Sequence, residues 1–479
     1  MLTYLLDKTR SDYLYEQLYN FIRSDIISGI LPPHSRLPSK RTLAEHNNIS
    51  VITVENAYSQ LATEGYIYSK PKSGFYVSEI ISGRKEFSPS PRMKAEDRSL
   101  DYRSDICKKE SDRLPYIADF SSAEVDSSSF PFKTWMKLQK ELFNSYPDIF
   151  LKKTPAHGAL PLRQAIARHL SDFRGMDVDP EQIVIGAGTE YLYSLIARMF
   201  GQDKIFALEE PGYTKLSNIY ESNGIDCVFS ETHDLERSLI RELEKLKADI
   251  IHVSPSHHFP TGKVMPVARR YELLGWANSH TGHYIIEDDY DSEFRFSGKP
   301  IPTLFSIDGG VKVIYLNTFS KSLTPTIRIS YMILPEDLAR LFHEKLSFLS
   351  CTVSNFEQYT LAEFINKGYF DKHLNRMKNI YRKKRDFLID RIRRSDFFKN
   401  CEISGEESGL HFLVKVDTAL SDTEIIKYFA DRRIKLDCLS GFYKEKKESV
   451  DHTLIFNYAG SRADQIEKAF NNFDGLFSN

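Results

Sequence analysis

Apolar residues recur at helical spacing near the start of the chain. Leu14, Leu18, Phe21, Ile22 and Ile26 fall on one face of a helix over 13–28. The turn Leu31-Pro32-Pro33 follows, and then LPSKRTLAEHNNIS, where Ser39 is placed to cap a short helix carrying Leu43 and Ala44. Asn47-Asn48 makes a turn. Ser50 is placed to cap a third helix, in which Val54, Ala57, Tyr58 and Leu61 stand at i, i+3, i+4 and i+7. Its other face carries Ile52, Thr53, Glu55, Asn56 and Ser59. Tyr66–Ser69 and Phe75–Val77 predict a hairpin around the basic tip Lys70-Pro71-Lys72-Ser73-Gly74. Three helices and a hairpin of this kind make a winged helix–turn–helix, whose recognition helix is free to enter a major groove.

The periodicity stops over 79–116, which is rich in Ser, Lys, Arg, Glu and Pro and reads as a flexible linker. Beyond Phe120 short β-rich runs alternate with helical stretches: Ile183–Ile185, Ile205–Leu208, Ile250–Val253, Tyr284–Ile286 and Val311–Leu316. Buried strands alternating with helices predict a mainly parallel sheet covered on both faces. After about residue 370 a long charged helix, Asp371 to Arg394, leads into strands and a helix over 402–475, a smaller α+β domain. The expected divisions are 1–78, the linker 79–116, and 117–479, the last with a large domain at about 150–340 and a small one at about 370–475.

Composition changes this picture little. The 479 residues are 41% hydrophobic and 13% aromatic, with a net charge of -2, which fits globular domains and argues against a generally basic coat. Residues 1–79 hold eight basic and eight acidic side chains, but 36–76 hold five against three. Phosphate-dependent affinity is then modest per module, favouring two modules acting together. Cys107, Cys227, Cys351, Cys401 and Cys438 show no metal-ligand spacing and read as reduced thiols of a cytoplasmic protein. No metal site is expected. No stretch of eighteen apolar residues predicts a membrane span, and the N-terminus has no signal-peptide pattern.

Three features of the larger region carry candidate chemistry. Lys321 lies in the hydroxyl-rich segment NTFSKSL after a strand, where desolvation can turn a lysine into a nucleophile. Thr318, Ser320 and Arg328 are positioned to bind a phosphate. IIEDDYDSEF sets carboxylates at a strand end, where the ligand crevice of an open sheet forms. An acidic cluster of this kind is also compatible with a solvated loop. The turn Gly186-Ala187-Gly188-Thr189 opens a helix and offers free amides to an anion.

The run LPSKRTLAEHNNISVITVENAYSQLATEGYIYSKPKSGFYV resembles the winged-helix domain of the GntR family. That resemblance implies DNA contacts by Arg36, Ser39, Lys40 and Arg41, by Ser50 and Thr53 on the recognition helix, and by Lys70, Lys72 and Gly74 in the wing. Val51 stands where the family usually has arginine, and Glu55 sits on the reading face, so base readout must differ. HGALPLRQAIARHL, IVIGAGTE, EEPGY, SHHFPTG, EDDYDSEF and TFSKSLTPTIRISY, in this order, resemble fold-type I aminotransferases that use pyridoxal 5'-phosphate. The resemblance makes Lys321 the Schiff-base lysine and Asp288 the partner of the ring nitrogen, with Asp289 the alternative register. It makes Tyr290 the partner of the ring hydroxyl and Tyr213 the stacking ring. Gly188, Thr189, Thr318 and Arg328 would hold the phosphate. Phe259 replaces the asparagine common at the ring hydroxyl.

The fusion itself resembles the MocR/GabR type of regulator. It implies a head-to-tail homodimer that binds an operator of two half-sites and senses an amino compound or pyridoxal phosphate. A linker of this length spans roughly 30–35 Å on average. The alternative is a working aminotransferase with an accessory DNA-binding module. The usual carboxylate-binding arginine falls on Gly460, leaving Lys215 and Arg462 as candidate effector contacts.

Overall fold

A computed structural model describes residues 2–7, 13–71, 73–79, 116–121, 129–232, 238–296, 301–444 and 450–474. Lys72, Cys107 and nearly all of the 79–116 linker lie outside them. Two units emerge, Met1–Arg113 and Leu114–Asn479.

In the first unit α1 (Leu14–Ser28), α2 (Lys40–His46) and α3 (Val51–Thr63) precede a hairpin of β1 (Ile67–Lys70) and β2 (Gly74–Val77). Both expected caps form: Ser39 accepts from the Thr42 amide at 3.2 Å and Ser50 from the Thr53 amide at 3.1 Å. Each satisfies an orphan donor of a helix start. The apolar faces meet in one core that includes Leu18, Ile22, Leu43, Val54, Tyr58 and Leu61. Phe21 departs from the expectation. It is 40% exposed and stacks on Tyr4, with ring centroids 5.5 Å apart, instead of entering the core.

The second unit opens on the short strand β3 (Ala118–Asp119). Seven strands then form one sheet: β4 (Ile183–Gly186), β5 (Ile205–Glu209), β6 (Asp226–Ser230), β7 (Ile250–Val253), β8 (Tyr284–Asp288), β9 (Val313–Thr318) and β10 (Ser330–Ile333). Their order is β4-β10-β9-β8-β7-β5-β6, and only β10 runs antiparallel to its neighbours. Adjacent residues go to opposite faces, as strand geometry requires. Ile285 and Val313 enter one core, and Ile286 and Ile314 the other. The sheet is thus buried on both sides, which explains its nearly continuous apolar runs.

The long helix Tyr369–Arg394 leads into an antiparallel sheet made by β11 (Glu402–Ser404), β12 (His411–Lys415), β14 (Asp437–Cys438) and β15 (Thr453–Asn457). The two-residue β13 (Ile434–Lys435) pairs instead with β3, tying the start of the unit to its C-terminal part. No described helix is long and apolar enough to cross a membrane.

Candidate functional site

The carboxyl ends of β5, β7, β8 and β9 open into a cavity of about 520 Å³. Open parallel sheets collect ligands at this edge, because loops diverge there and helix N-termini point inward. Asp288 is the last residue of β8 and Thr318 the last of β9, so both side chains reach the cavity from rigid strands.

Lys321 lines the same cavity from the short helix Phe319–Ser322 that follows β9. Burial pushes its ammonium down to about 8, against a weaker opposing pull from Asp291. Desolvation disfavours the charged form, so a usable share of the side chain is the free amine near neutral pH.

Asp288 faces Lys321's cavity with one oxygen bound and one not. Its Oδ2 accepts from the Tyr193 hydroxyl and lies 3.6 Å from His252 Nε2. His252 is oriented in turn by the Tyr220 hydroxyl, 2.9 Å from its Nδ1. The Oδ1 of Asp288 is buried without a hydrogen-bond partner. Buried carboxylate oxygens are rarely left unmatched, and this one suits a cationic N–H supplied by a ligand. Asp289 does not line the cavity. It turns into a buried network with Arg174, Ser292 and Tyr315.

A cradle for an anion lies at the start of the helix Thr189–Phe200. Gly188 precedes it with φ 92°, and a Cβ there would come within 2.3 Å of the Arg328 guanidinium. Only glycine lets that guanidinium close over the turn. Arg328 itself sits at φ 50°, and its Nη2 donates to the Ala187 carbonyl at 3.2 Å. Thr318 Oγ1 accepts from Ser330 Oγ at 2.8 Å and lies beside Ser320 Oγ at 2.9 Å. Amides at a helix N-terminus, hydroxyls and a guanidinium together match a phosphate monoester.

Tyr213 stands half exposed at the cavity, edge-on to Phe259 with ring centroids 6.2 Å apart. Tyr290 is half-buried with its hydroxyl 3.2 Å from His257 Nδ1, and desolvation holds that hydroxyl well above the usual tyrosine range. Thus Lys321, Asp288, Tyr290, Tyr213, Thr189, Thr318 and Arg328 all line one cavity, with Gly188 at its anion cradle. The unoccupied Asp288 oxygen, the glycine cradle and the desolvated lysine fit pyridoxal 5'-phosphate at ring nitrogen, phosphate and carbonyl carbon respectively.

Two side chains fall elsewhere. Lys215 is not in the cavity wall but pairs with Glu190, which also holds Arg328 at 3.4 Å. Arg462 is exposed and bonds Asp464 at 3.1 Å, outside the cavity.

In the first unit Arg36, Ser39, Arg41, Ser50, Lys70 and Gly74 are exposed. Lys40 pairs with Glu55 at 2.6 Å and Lys70 lies 4.7 Å over the Tyr76 ring. Thr53 is partly covered beside the Ser50 cap.

The chain matches the family described as aminotransferase class I and II over residues 118–471, and the bacterial regulatory proteins of the gntR family over 14–77. It is 37% identical to YhdI of Bacillus subtilis (strain 168), an uncharacterized HTH-type transcriptional regulator, over 97% of this chain and 96% of that protein. It is 29% identical to MocR of Rhizobium meliloti, a probable rhizopine catabolism regulatory protein, over 99% and 95%. The chain belongs to the MocR-type HTH transcriptional regulators. Its larger unit also resembles the multiple substrate aminotransferase of Thermococcus profundus in fold, with a TM-score of 0.66 at 23% identity, covering 78% of this chain and 93% of that one. As a MocR-type regulator it joins a DNA-binding winged helix to an aminotransferase fold whose cofactor is pyridoxal 5'-phosphate.

Tyr193, Tyr220 and His252 escape a reading of the sequence. Tyr193 had one available signal, since it lies one helical turn beyond Thr189 on the same face. His252 had another. It is the one polar residue in the buried strand β7, and a buried imidazole needs partners.

Proposed function

We propose that this regulator holds pyridoxal 5'-phosphate on Lys321 and uses it to sense an amino compound or the cofactor itself. The observation that carries the proposal is the buried, unpartnered Asp288 oxygen in the same cavity as the desolvated Lys321 amine. When bound, the cofactor supplies an electrophilic carbonyl carbon and an electron-withdrawing ring. Asp288 would keep the ring nitrogen protonated, with Tyr193 and His252 fixing the carboxylate. Tyr290 would hydrogen-bond the ring hydroxyl, and Tyr213 would cover the ring face. Gly188, Thr189, Thr318 and Arg328 would hold the phosphate, Arg328 giving up Glu190 to do so. A primary amine entering the cavity would compete for the carbon that Lys321 holds. The unit responds only as far as that ligand favours one of its states over another.

On the DNA side, the reading is a homodimer, head to tail, that sets two winged helices on two half-sites. Arg36, Arg41, Lys70 and Lys72 would neutralise phosphates and Lys40 would stay beside them paired with Glu55, while Ser39, Ser50, Thr53 and Gly74 would approach the duplex closely. The test is borohydride trapping of the purified chain, followed by peptide mapping. The expected adduct is on Lys321 and disappears in Lys321→Ala. An adduct on another lysine would overturn the assignment.

A further inference from the structure

The exposed face of α3 has a chemical bias. Its sequence, VITVENAYSQLAT, contains no lysine or arginine. Val54, Ala57, Tyr58 and Leu61 are buried, which fixes the roll of the helix. The outward stripe is therefore Ile52, Glu55, Asn56 and Ser59, with Val51 beside it in the first turn. Ile52 is 68% exposed and Val51 41%. Glu55 is already engaged by Lys40 at 2.6 Å, so its carboxylate and that cation occupy each other.

Base edges in the major groove differ in chemistry. Guanine offers two acceptors and is read best by arginine or lysine. Thymine carries the one apolar group, its methyl, and adenine pairs an acceptor with a donor, the match for an asparagine amide. Apart from the Glu55 carboxylate, which Lys40 holds, the α3 face supplies apolar groups, an amide and the Ser59 hydroxyl, and no cation. Scattered exposed apolar residues are ordinary on a protein surface. Here two adjoin at the end of the helix that enters the groove, and Asn56 stands one turn beyond Ile52 on the same stripe.

We propose that α3 reads A·T pairs, with Val51 and Ile52 against thymine methyls and Asn56 on an adjacent adenine edge. The inference rests on the reading of the first unit as the DNA-binding module. The basic side chains of α2 and the hairpin then supply affinity without base preference.

The test uses the full-length, cofactor-loaded chain to select sites from a randomised double-stranded DNA pool. Each thymine of the selected half-site is next replaced by deoxyuridine, which deletes only the methyl. Replacement at one or two positions per half-site is expected to weaken binding about fourfold each, the effect of burying one methyl group. That loss should vanish in Ile52→Ala or Val51→Ala at the matching position. Likewise 7-deazaadenine at the neighbouring adenine should weaken the wild type and leave Asn56→Ala unchanged. All three variants should keep the salt dependence of the wild type, because no phosphate contact is removed. Selected half-sites with G·C pairs opposite α3, or insensitivity to deoxyuridine at every thymine, would overturn this inference and leave the DNA-binding reading intact. Failure to select any sequence would overturn both.

Discussion

Lys321 has to lose a proton before it can attack a carbonyl carbon, and its surroundings favour that loss. Burial lowers its pKa from 10.5 to about 8, while the Asp291 carboxylate holds the charge back. The rate at which the cofactor-free chain captures pyridoxal 5'-phosphate should therefore rise with pH and reach half its maximum near 8. Asp291→Asn removes the charge that stabilises the ammonium, so the midpoint should move lower. Stopped-flow absorbance across a pH series measures both, and a midpoint near that of a free lysine would mean that the side chain is solvated. Between about 8 and 10.5 the unfolded chain binds the proton more tightly than the folded one, so the cofactor-free fold gains stability as pH rises through that window. Lys321 and Asp288 were legible because their motifs sit at strand ends. Tyr193 was not, because its partner is 95 residues away in sequence and only the sheet brings them together.

Local grammar accounts for most of the elements. Ser39 and Ser50 cap the helices their spacing suggests, and β7 runs over the residues expected of it. Within the seven-stranded sheet the strands that escaped are β6 and β10. β6 lies at the sheet edge and mixes Asp226 with half-covered residues, so its pattern is weak. β10 has four residues, and its partners on both sides are supplied by distant segments, Ile183–Gly186 and Val313–Thr318. The same nonlocality governs the helix Leu160–Arg174, whose last residue anchors the loop after β8. Arg174 and Asp289 form an ion pair with side chains 3% and 1% exposed. Removing one partner leaves the other charged and buried without a counter-ion. Arg174→Met should cost about 3–5 kcal/mol of stability in a denaturant titration of the cofactor-free chain. A loss under about 1 kcal/mol would mean that water reaches Asp289 and solvates it.

At the scale of the whole molecule, the question is what a catalytic fold contributes to a regulator. The matched families account for both units, and the linker composition separates them in the sequence. The ligand is less legible, because it depends on side chains that no motif specifies. An aminotransferase grips a substrate carboxylate with the planar fork of an arginine. Gly460 stands where that arginine is expected, and glycine offers no side-chain donor. Arg462 is tied to Asp464, and Lys215 to Glu190. Arg328 bonds the Ala187 carbonyl and Glu190. Besides Lys321 and Arg328, Lys444 lines the cavity, and its ammonium lacks the planar fork. A bound amino carboxylate would thus be held through its amine and only loosely oriented for proton transfer, and misplacement of that kind slows chemistry. The cofactor-loaded chain should convert glutamate, alanine, aspartate and GABA slowly in single-turnover measurements of the pyridoxamine form. Slow chemistry suits a sensor, since a ligand that is not consumed can hold one state of the protein for as long as it stays bound. The same measurement on Arg462→Ala completes the test. Rapid conversion by the wild type that is lost in that variant would mean that Arg462 leaves Asp464 and takes up the carboxylate, and that the fold still works as an enzyme.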